Sequence, residues 1–422
     1  MNNKNWAGNF SFNASQWHAP RSLDPLQEIV AGLEKIRAVG TKHSFNRVAD
    51  SRHALVSLEH LNRVVGLDRE QQTVTVEAGI RYGELCQYLN RQGFALHNLA
   101  SLVHIGVAGA CATATHGSGM GSGNLATAVS GLELMKHDGQ LVHLSQETDG
   151  ATLNGLVVGL GGFGVVTKLT LDIEPAFQVR QSIYENLPFQ QVVSHFKEIM
   201  SSAYSVSIFT DWEGDTVNQL WLKVRGKDTS VAFPNSFFSA KAAQKKLHPV
   251  PGFSAENCTD QLGVSGSWHN RLQHFKLDFT PSAGDELQSE YLLPLENAAP
   301  ALQAIKRLAT EISPLLYTSE IRTVAPDNLW LSTAYKQHTV AIHFTWKADW
   351  PAVKTCLAKI ESALMTLGAR PHWGKLFTLS PEYVQAQYEM LPAFRELMKD
   401  FDPKGKFRNN FLDRYIYGFR VL

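Results

Sequence analysis

The 422 residues carry only four cysteines, Cys86, Cys111, Cys258 and Cys356, and these are widely scattered. No pair has the spacing of a metal clamp or a redox couple. The thiols therefore read as reduced and mostly buried, as in a cytoplasmic protein. An excess of one charge is also lacking. Lysine plus arginine equals aspartate plus glutamate, 39 each, which gives no electrostatic case for nucleic acid or an anionic membrane surface. No apolar run approaches the roughly 18 to 20 residues that span a bilayer. The stretch Met1-Asn2-Asn3-Lys4-Asn5-Trp6 has no hydrophobic core of the signal-peptide kind. Without one, the sequons Asn9-Phe10-Ser11 and Asn257-Cys258-Thr259 carry no meaning. There are no repeats and no low-complexity tracts. No His/Asp/Glu cluster of the H-E-x-x-H type suggests a metal, so none is expected.

What is present has the length of two domains. The first part alternates short helices and strands. Pro25 to Val39 reads as a helix with Ile29, Leu33 and Ile36 on one face. Thr73 to Glu77 alternates as a strand. Tyr82 to Arg91 reads as a helix closed by Gly93. Leu132 to Leu144 is a hairpin about Asp138-Gly139, and Val166 to Ile173 is a further strand. Pro175 is a natural boundary. From Ala176 to about Leu376 the chain changes character, with most of the tryptophans and long aromatic-polar strands such as Gln219–Val224 and Thr339–Trp346. The stretch from Lys227 to Val264 is loop-rich and is expected at the mouth of a site.

Gly159-Leu160-Gly161-Gly162-Phe163-Gly164 fits G-x-G-x-x-G. A dinucleotide fingerprint of the Rossmann kind follows a strand and opens a helix. Here the glycines run into the strand-like Val165-Val166-Thr167-Lys168-Leu169, so that reading is declined.

The most informative pair of segments is Thr41-Lys42-His43-Ser44-Phe45-Asn46 and the later run from Ala100-Ser101 through Gly106, Gly109, Thr113, Ala114 and Thr115 to His116-Gly117-Ser118-Gly119. A Gly/Ala/Thr/Ser run with few bulky side chains lets backbone N–H groups approach a pyrophosphate. A histidine in a turn can stand against an aromatic cofactor ring. Either segment alone also suits tight packing. Together, with Asn5-Trp6-Ala7-Gly8-Asn9 at one end and Asp402-Pro403-Lys404-Gly405-Lys406-Phe407-Arg408-Asn409 at the other, they make the chain resemble the vanillyl-alcohol-oxidase-type FAD oxidoreductases. Within them it is most similar to the alditol oxidases, which act on sorbitol and xylitol, with the aldonolactone oxidases as more distant relatives.

The resemblance implies an α+β, two-domain flavoenzyme. A PCMH-type FAD-binding domain at 1–175 would be joined by a substrate domain at 176–376, an antiparallel sheet flanked by helices that caps the flavin ring. Residues 377–422 would return to the FAD domain. It implies FAD bound covalently by His43 through the 8α-methyl group. Ala38, Val39, Gly40, Thr41, Lys42, Ser44, Ser101, Gly106, Gly109, Thr113, Ala114, Thr115, His116 and Val166 would line the cofactor.

Three patches in the second half carry chemistry. Glu320-Ile321-Arg322 and His343-Phe344-Thr345 each place two polar groups on one face of a strand. His372-Trp373-Gly374-Lys375 ends in a lysine beside a glycine. Each pattern alone also fits an ordinary sheet surface. The resemblance implies that Ser101, Glu320, Arg322, His343, Thr345 and Lys375 line the substrate pocket. Lys375 and His343 are the two candidates for accepting the hydroxyl proton, and Arg322 would depress the lysine pKa. Arg322 can also bind a substrate hydroxyl or stabilise the reduced ring. Glu320, Thr345 and Ser101 suit a substrate with a hydroxyl on every carbon, and a site so polar suits a phenol or a steroid poorly. The expected reaction is oxidation of the terminal C1 hydroxyl of an alditol to the aldose. Hydride passes to flavin N5, and oxygen reoxidises the flavin to give hydrogen peroxide. The alternative is an aldonolactone or sugar oxidoreductase of the same fold, with oxygen or a non-oxygen acceptor. The partners expected are a small polyol and O2, with no nucleic acid, no membrane and a monomeric state.

Overall fold

Three sheets position everything that follows in the computed structural model, which describes residues 3–226, 233–279 and 286–419. The first is parallel, with Ala54–Ser57 between Gln16–His18 and Ile36–Val39. The second is antiparallel and has five strands, in the order Val64–Asp68, Thr73–Glu77, Val165–Asp172, Val129–Met135 and Leu141–Ser145. Its last two strands form the hairpin expected from Asp138-Gly139, with Leu132 opposite Leu144. Gly139 takes φ +85° there, which a residue without a Cβ adopts at no steric cost.

The helix expected over Pro25 to Val39 is two elements. A helix spans Leu23–Gly32, and Ile36–Val39 is a strand. The spacing of Ile29, Leu33 and Ile36 matches a helical period, but Leu33 is already extended (φ −98°, ψ 142°) after Gly32. The stripe that packs is Leu26 and Val30. The strand Thr73–Glu77 and the helix Tyr82–Arg91 have the limits the sequence suggests.

The glycine motif at 159–164 follows the helix Gln146–Leu156 and opens the strand Val165–Asp172. That order is the reverse of a dinucleotide fingerprint. Gly164 has φ +154°, and a Cβ there would meet Met135 O at 2.4 Å.

The third sheet is antiparallel, with ten strands among the described residues. Three of its central neighbours are Leu316–Val324, Thr339–Lys347 and Glu286–Pro294. Side chains alternate across each strand. One set faces helices: Tyr291 OH donates to Glu361 of the helix Trp350–Met365 at 2.7 Å, and Trp346 Nε1 donates to Ser289 Oγ at 2.8 Å. The other set faces a cavity. In register, Glu320 lies opposite His343, and His343 lies opposite Glu290. Three ionisable side chains therefore form a row across three strands.

The last described helices fold back on the first part. Ile36 N donates to Lys406 O at 3.1 Å, and the Asn409 side chain donates to Asp50 O at 2.8 Å. Arg37 gathers these segments. Its guanidinium donates to the carbonyls of Gly161 (3.0 Å), Leu160 (2.7 Å), Phe407 (2.7 Å) and Val48. Burial lowers its pKa to about 10, so it stays charged.

Candidate active site

A cavity of about 1150 Å³ is lined by both the N-terminal segments and the ten-stranded sheet. That exceeds the ~300–1,000 Å³ of a typical small-ligand pocket and suits a dinucleotide together with a substrate. Several buried polar atoms of its lining have no hydrogen-bond partner: Trp6 Nε1, Trp17 Nε1, His18 Nε2 and His43 Nε2. Such groups are costly to leave unpaired and point to a ligand. A Cβ at Gly40 or Gly109, both in the lining, would meet nothing within 4 Å. Bare backbone there faces open space that a cofactor can fill. The residues present fit FAD.

Ala38, Val39, Gly40, Thr41, Lys42, His43 and Ser44 all line this cavity, as do Ser101, Gly106, Gly109, Thr113, Thr115, His116 and Val166. Ala114 is not in the lining. It takes φ 52°, and its methyl group is buried in the main core, leaving Thr113 and Thr115 to reach the cavity. Of the loop-rich stretch, His248, Pro249, Val250 and Phe253 line the cavity, whereas residues 227–232 lie outside the described residues.

The His43 turn depends on Lys42 at φ 62°. Trp6 stacks on the His43 ring at 5.1 Å and 18°. His43 Nδ1 lies 3.1 Å from Thr41 O and 3.0 Å from Thr41 Oγ1. Thr41 Oγ1 in turn accepts from Gly106 N at 3.1 Å, which joins the turn to the glycine run. Burial lowers the His43 pKa to about 4. The imidazole is neutral, the form in which a ring nitrogen is nucleophilic.

Lys375 sits among acids and imidazoles. Its Nζ lies 2.7 Å from Glu290 Oε2 and 2.9 Å from His343 Nδ1. His343 Nε2 is 3.1 Å from Thr345 Oγ1. Arg322 NH2 lies 2.5 Å from Glu290 Oε1, and Arg322 Nε lies 3.7 Å from Glu320 Oε2. Burial would raise the Glu290 pKa, but Lys375 and Arg322 outweigh it and hold the carboxyl well below its usual range. Glu320 is lowered in the same way, chiefly by Arg322 against burial. The Lys375 pKa is lowered, first by burial; Arg322 adds to this and Glu290 opposes it. The push expected from Arg322 is thus real but secondary. His343 is held well below its ordinary value by burial and by Lys375, so its ring is neutral.

Glu320, Arg322, His343, Thr345, Lys375 and Ser101 are therefore brought together in one lining. His116 joins the carboxylate side of the cluster, with Nε2 3.4 Å from Glu290 Oε1.

Sequence reasoning missed Glu290, which pairs with both Lys375 and Arg322. The available signal was the polar alternation of Gln288 and Glu290 in a strand otherwise rich in leucine and tyrosine. His274, whose Nε2 is 2.9 Å from Glu320 Oε1, was also missed. It lies in a loop with no period to mark it.

Among the described residues no helix is long and apolar enough to cross a membrane. No group of three or more His, Cys, Asp or Glu among them could hold a metal ion.

Comparison with known proteins adds the family. Residues 16–145 match the FAD binding domain family, and residues 280–415 match the D-arabinono-1,4-lactone oxidase family. The chain is 45% identical to an alditol oxidase of Streptomyces sp. (strain IKD472 / FERM P-14339), over 97% of each chain. It is 24% identical to L-gulonolactone oxidase of Mus musculus, over 98% of each. Among solved structures, a glucooligosaccharide oxidase of Acremonium strictum with a 6-S-cysteinyl, 8α-N1-histidyl FAD superposes with a TM-score of 0.74 at 16% identity, covering 97% of this chain and 93% of that one.

Proposed function

The chain belongs to the alditol oxidase family of FAD-dependent oxidoreductases, and on that footing we propose that it oxidises the terminal C1 hydroxyl of an alditol such as xylitol or sorbitol to the aldose. FAD held covalently by His43 would supply the hydride acceptor at N5, and its reoxidation by dioxygen, with uptake of the proton released from the hydroxyl, would give hydrogen peroxide.

One observation carries this reading: the row Glu320–His343–Glu290, with Arg322 and Lys375, faces the same cavity as the His43 turn. Lys375 is the group that receives the hydroxyl proton. As a neutral amine it has two N–H donors, matched by Glu290 at 2.7 Å and His343 Nδ1 at 2.9 Å. Its remaining lone pair is then left for the substrate. His343, neutral, accepts at Nδ1 and donates from Nε2 to Thr345, so its own lone pair is engaged. It positions the lysine rather than replacing it. Glu320 accepts from a polyol hydroxyl, and Arg322, Thr345 and Ser101 supply further partners. Ala100 lies in the cavity lining beside Ser101, and its methyl group leaves room for oxygen.

The test is anaerobic mixing with a panel of polyols, alcohols and lactones while flavin bleaching is followed, then admission of air and assay of peroxide. Xylitol or sorbitol should exceed short diols by orders of magnitude, since each missing contact costs about 1–3 kcal/mol. Equal bleaching by 1-butanol would sink the polyol reading. The match of residues 280–415 to D-arabinono-1,4-lactone oxidase favours a second reading, a lactone oxidoreductase, which faster bleaching by gulonolactone or galactonolactone would establish.

A further inference from the structure

Glu320 ends a second chain of buried polar groups that the reaction does not directly use. Lys223, on the strand Thr216–Arg225, has its Nζ against the carbonyl of Leu272, 3.3 Å from that of Gln273 and 3.3 Å from His274 Nδ1. His274 Nε2 then lies 2.9 Å from Glu320 Oε1. Lys223, His274 and Glu320 are all buried.

Burial lowers the Lys223 pKa to about 7, against Glu320 and Cys258, which raise it; below that pH the ammonium has three N–H donors, and here it faces three acceptors. A carboxylate can only accept. His274 must therefore carry its proton on Nε2 and its lone pair on Nδ1, facing Lys223. Given the alditol reading above, we propose that Lys223 is a positioning residue: it locks His274 in the Nε2–H tautomer, which anchors Glu320 Oε1 and leaves Oε2 to receive a substrate hydroxyl. In the other tautomer a ring lone pair would face the Glu320 lone pairs across 2.9 Å. That contact is repulsive, so the carboxylate would leave its place.

Charge is not the switch in the unmutated protein. His274 is faced by Lys223 from one strand and by Glu320 and Arg322 from another, with the Phe209 and Trp221 rings edge-on. Cys258 faces Lys223. Burial and then Lys223 lower the His274 pKa to about 4, so the ring is neutral near neutral pH. Removing Lys223 raises that pKa. A doubly protonated ring presents Nε2–H whatever its tautomeric preference.

The experiment uses Lys223→Met in the FAD-loaded enzyme, with xylitol affinity and limiting reduction rate taken from anaerobic bleaching. At about pH 6.5, where the unmutated Lys223 is still mostly charged, the affinity should fall about tenfold or more, the loss of a hydrogen bond to a charged group, while the limiting rate stays within about threefold. The affinity should recover toward that of the unmutated enzyme as the pH is lowered from there to about 5, and the unmutated enzyme, its Lys223 already charged, should show no comparable gain. In a His274→Gln background, whose amide N–H needs no tautomer, Lys223→Met should change the affinity no further. Equal loss at every pH and in both backgrounds would mean a packing role and overturn the proposal, as would no loss at all. A second measurement is independent of substrate, so it separates failure here from failure of the alditol reading. In 15N-histidine-labelled protein the His274 resonances, assigned by their loss in His274→Gln, should report Nε2–H, and Lys223→Met should mix the tautomers. An Nδ1–H signal in the unmutated protein would end the argument.

Discussion

The Asn46 side-chain amide donates to the backbone carbonyl of Lys375 at 2.7 Å and to that of Trp373 at 2.8 Å. One residue earlier, Phe45 N donates to Gly374 O at 2.7 Å. The turn that carries His43 is thus bonded to the loop that carries Lys375. The proposed point of cofactor attachment and the proposed proton acceptor are held in one frame. Small errors in such placement are expensive, since a misplacement of about 1 Å can cost about 100-fold in rate.

Asn46→Ala should reveal that frame. His43 and Lys375 stay chemically intact, so covalent FAD is retained, yet the single-turnover reduction rate should fall by about 10- to 100-fold. An unchanged rate would show that packing alone sets the distance.

His43→Ala should remove the covalent bond. Acid-denatured unmutated protein should keep yellow flavin on the polypeptide, and a tryptic peptide containing His43 should carry the FAD mass. In the variant the flavin should be released on denaturation. Release from the unmutated protein, with no modified peptide, would refute the linkage.

Lys375→Met keeps the side-chain length but removes the proton acceptor. The bonds from Phe45 and Asn46 reach the backbone of this loop, not the lysine side chain, so covalent FAD should be retained. Anaerobic flavin reduction should slow by about 10² to 10⁴. His343→Ala should slow it less. Bleaching at the unmutated rate would remove Lys375 from the chemistry and leave His343 as the base.

Glu290→Gln tests the electrostatics. Glu290 raises the Lys375 pKa against burial. Loss of that charge lowers the pKa further, so the pH at which the reduction rate rises should move to lower pH. The limiting rate should fall as Lys375 loses its 2.7 Å anchor. Stopped-flow reduction across pH reads both. A shift toward higher pH would contradict the assignment of Lys375 as the titrating base.

The His43 turn and the glycine run were legible because their residue types are unusual and contiguous. The strand period put Glu320 with Arg322 and His343 with Thr345 on one face each, but only the family resemblance marked those faces as a substrate pocket rather than an ordinary sheet surface. Glu290 obeys the same period, but Glu286, Gln288 and Glu290 at alternate positions of one strand read like a solvated edge until His343 is seen opposite Glu290. The Lys223–His274 contact joins residues far apart in sequence, and no local pattern encodes that pairing. The strand Ile36–Val39 was hidden because its apolar spacing continues the period of the helix before it, and only Gly32 marks the break.

Arg37 also sets an order in time. Its guanidinium needs the Phe407 carbonyl, 370 residues further along. At the ribosome's pace of about 5–20 residues per second, that acceptor arrives on the order of 20–70 s after Arg37 itself. Until then the emerging chain holds a cation with one of its acceptors not yet made. Arg37, Val48, Leu160 and Gly161 all line the cofactor cavity, so this part of its wall gains its last bond to Arg37 only once residue 407 has been made.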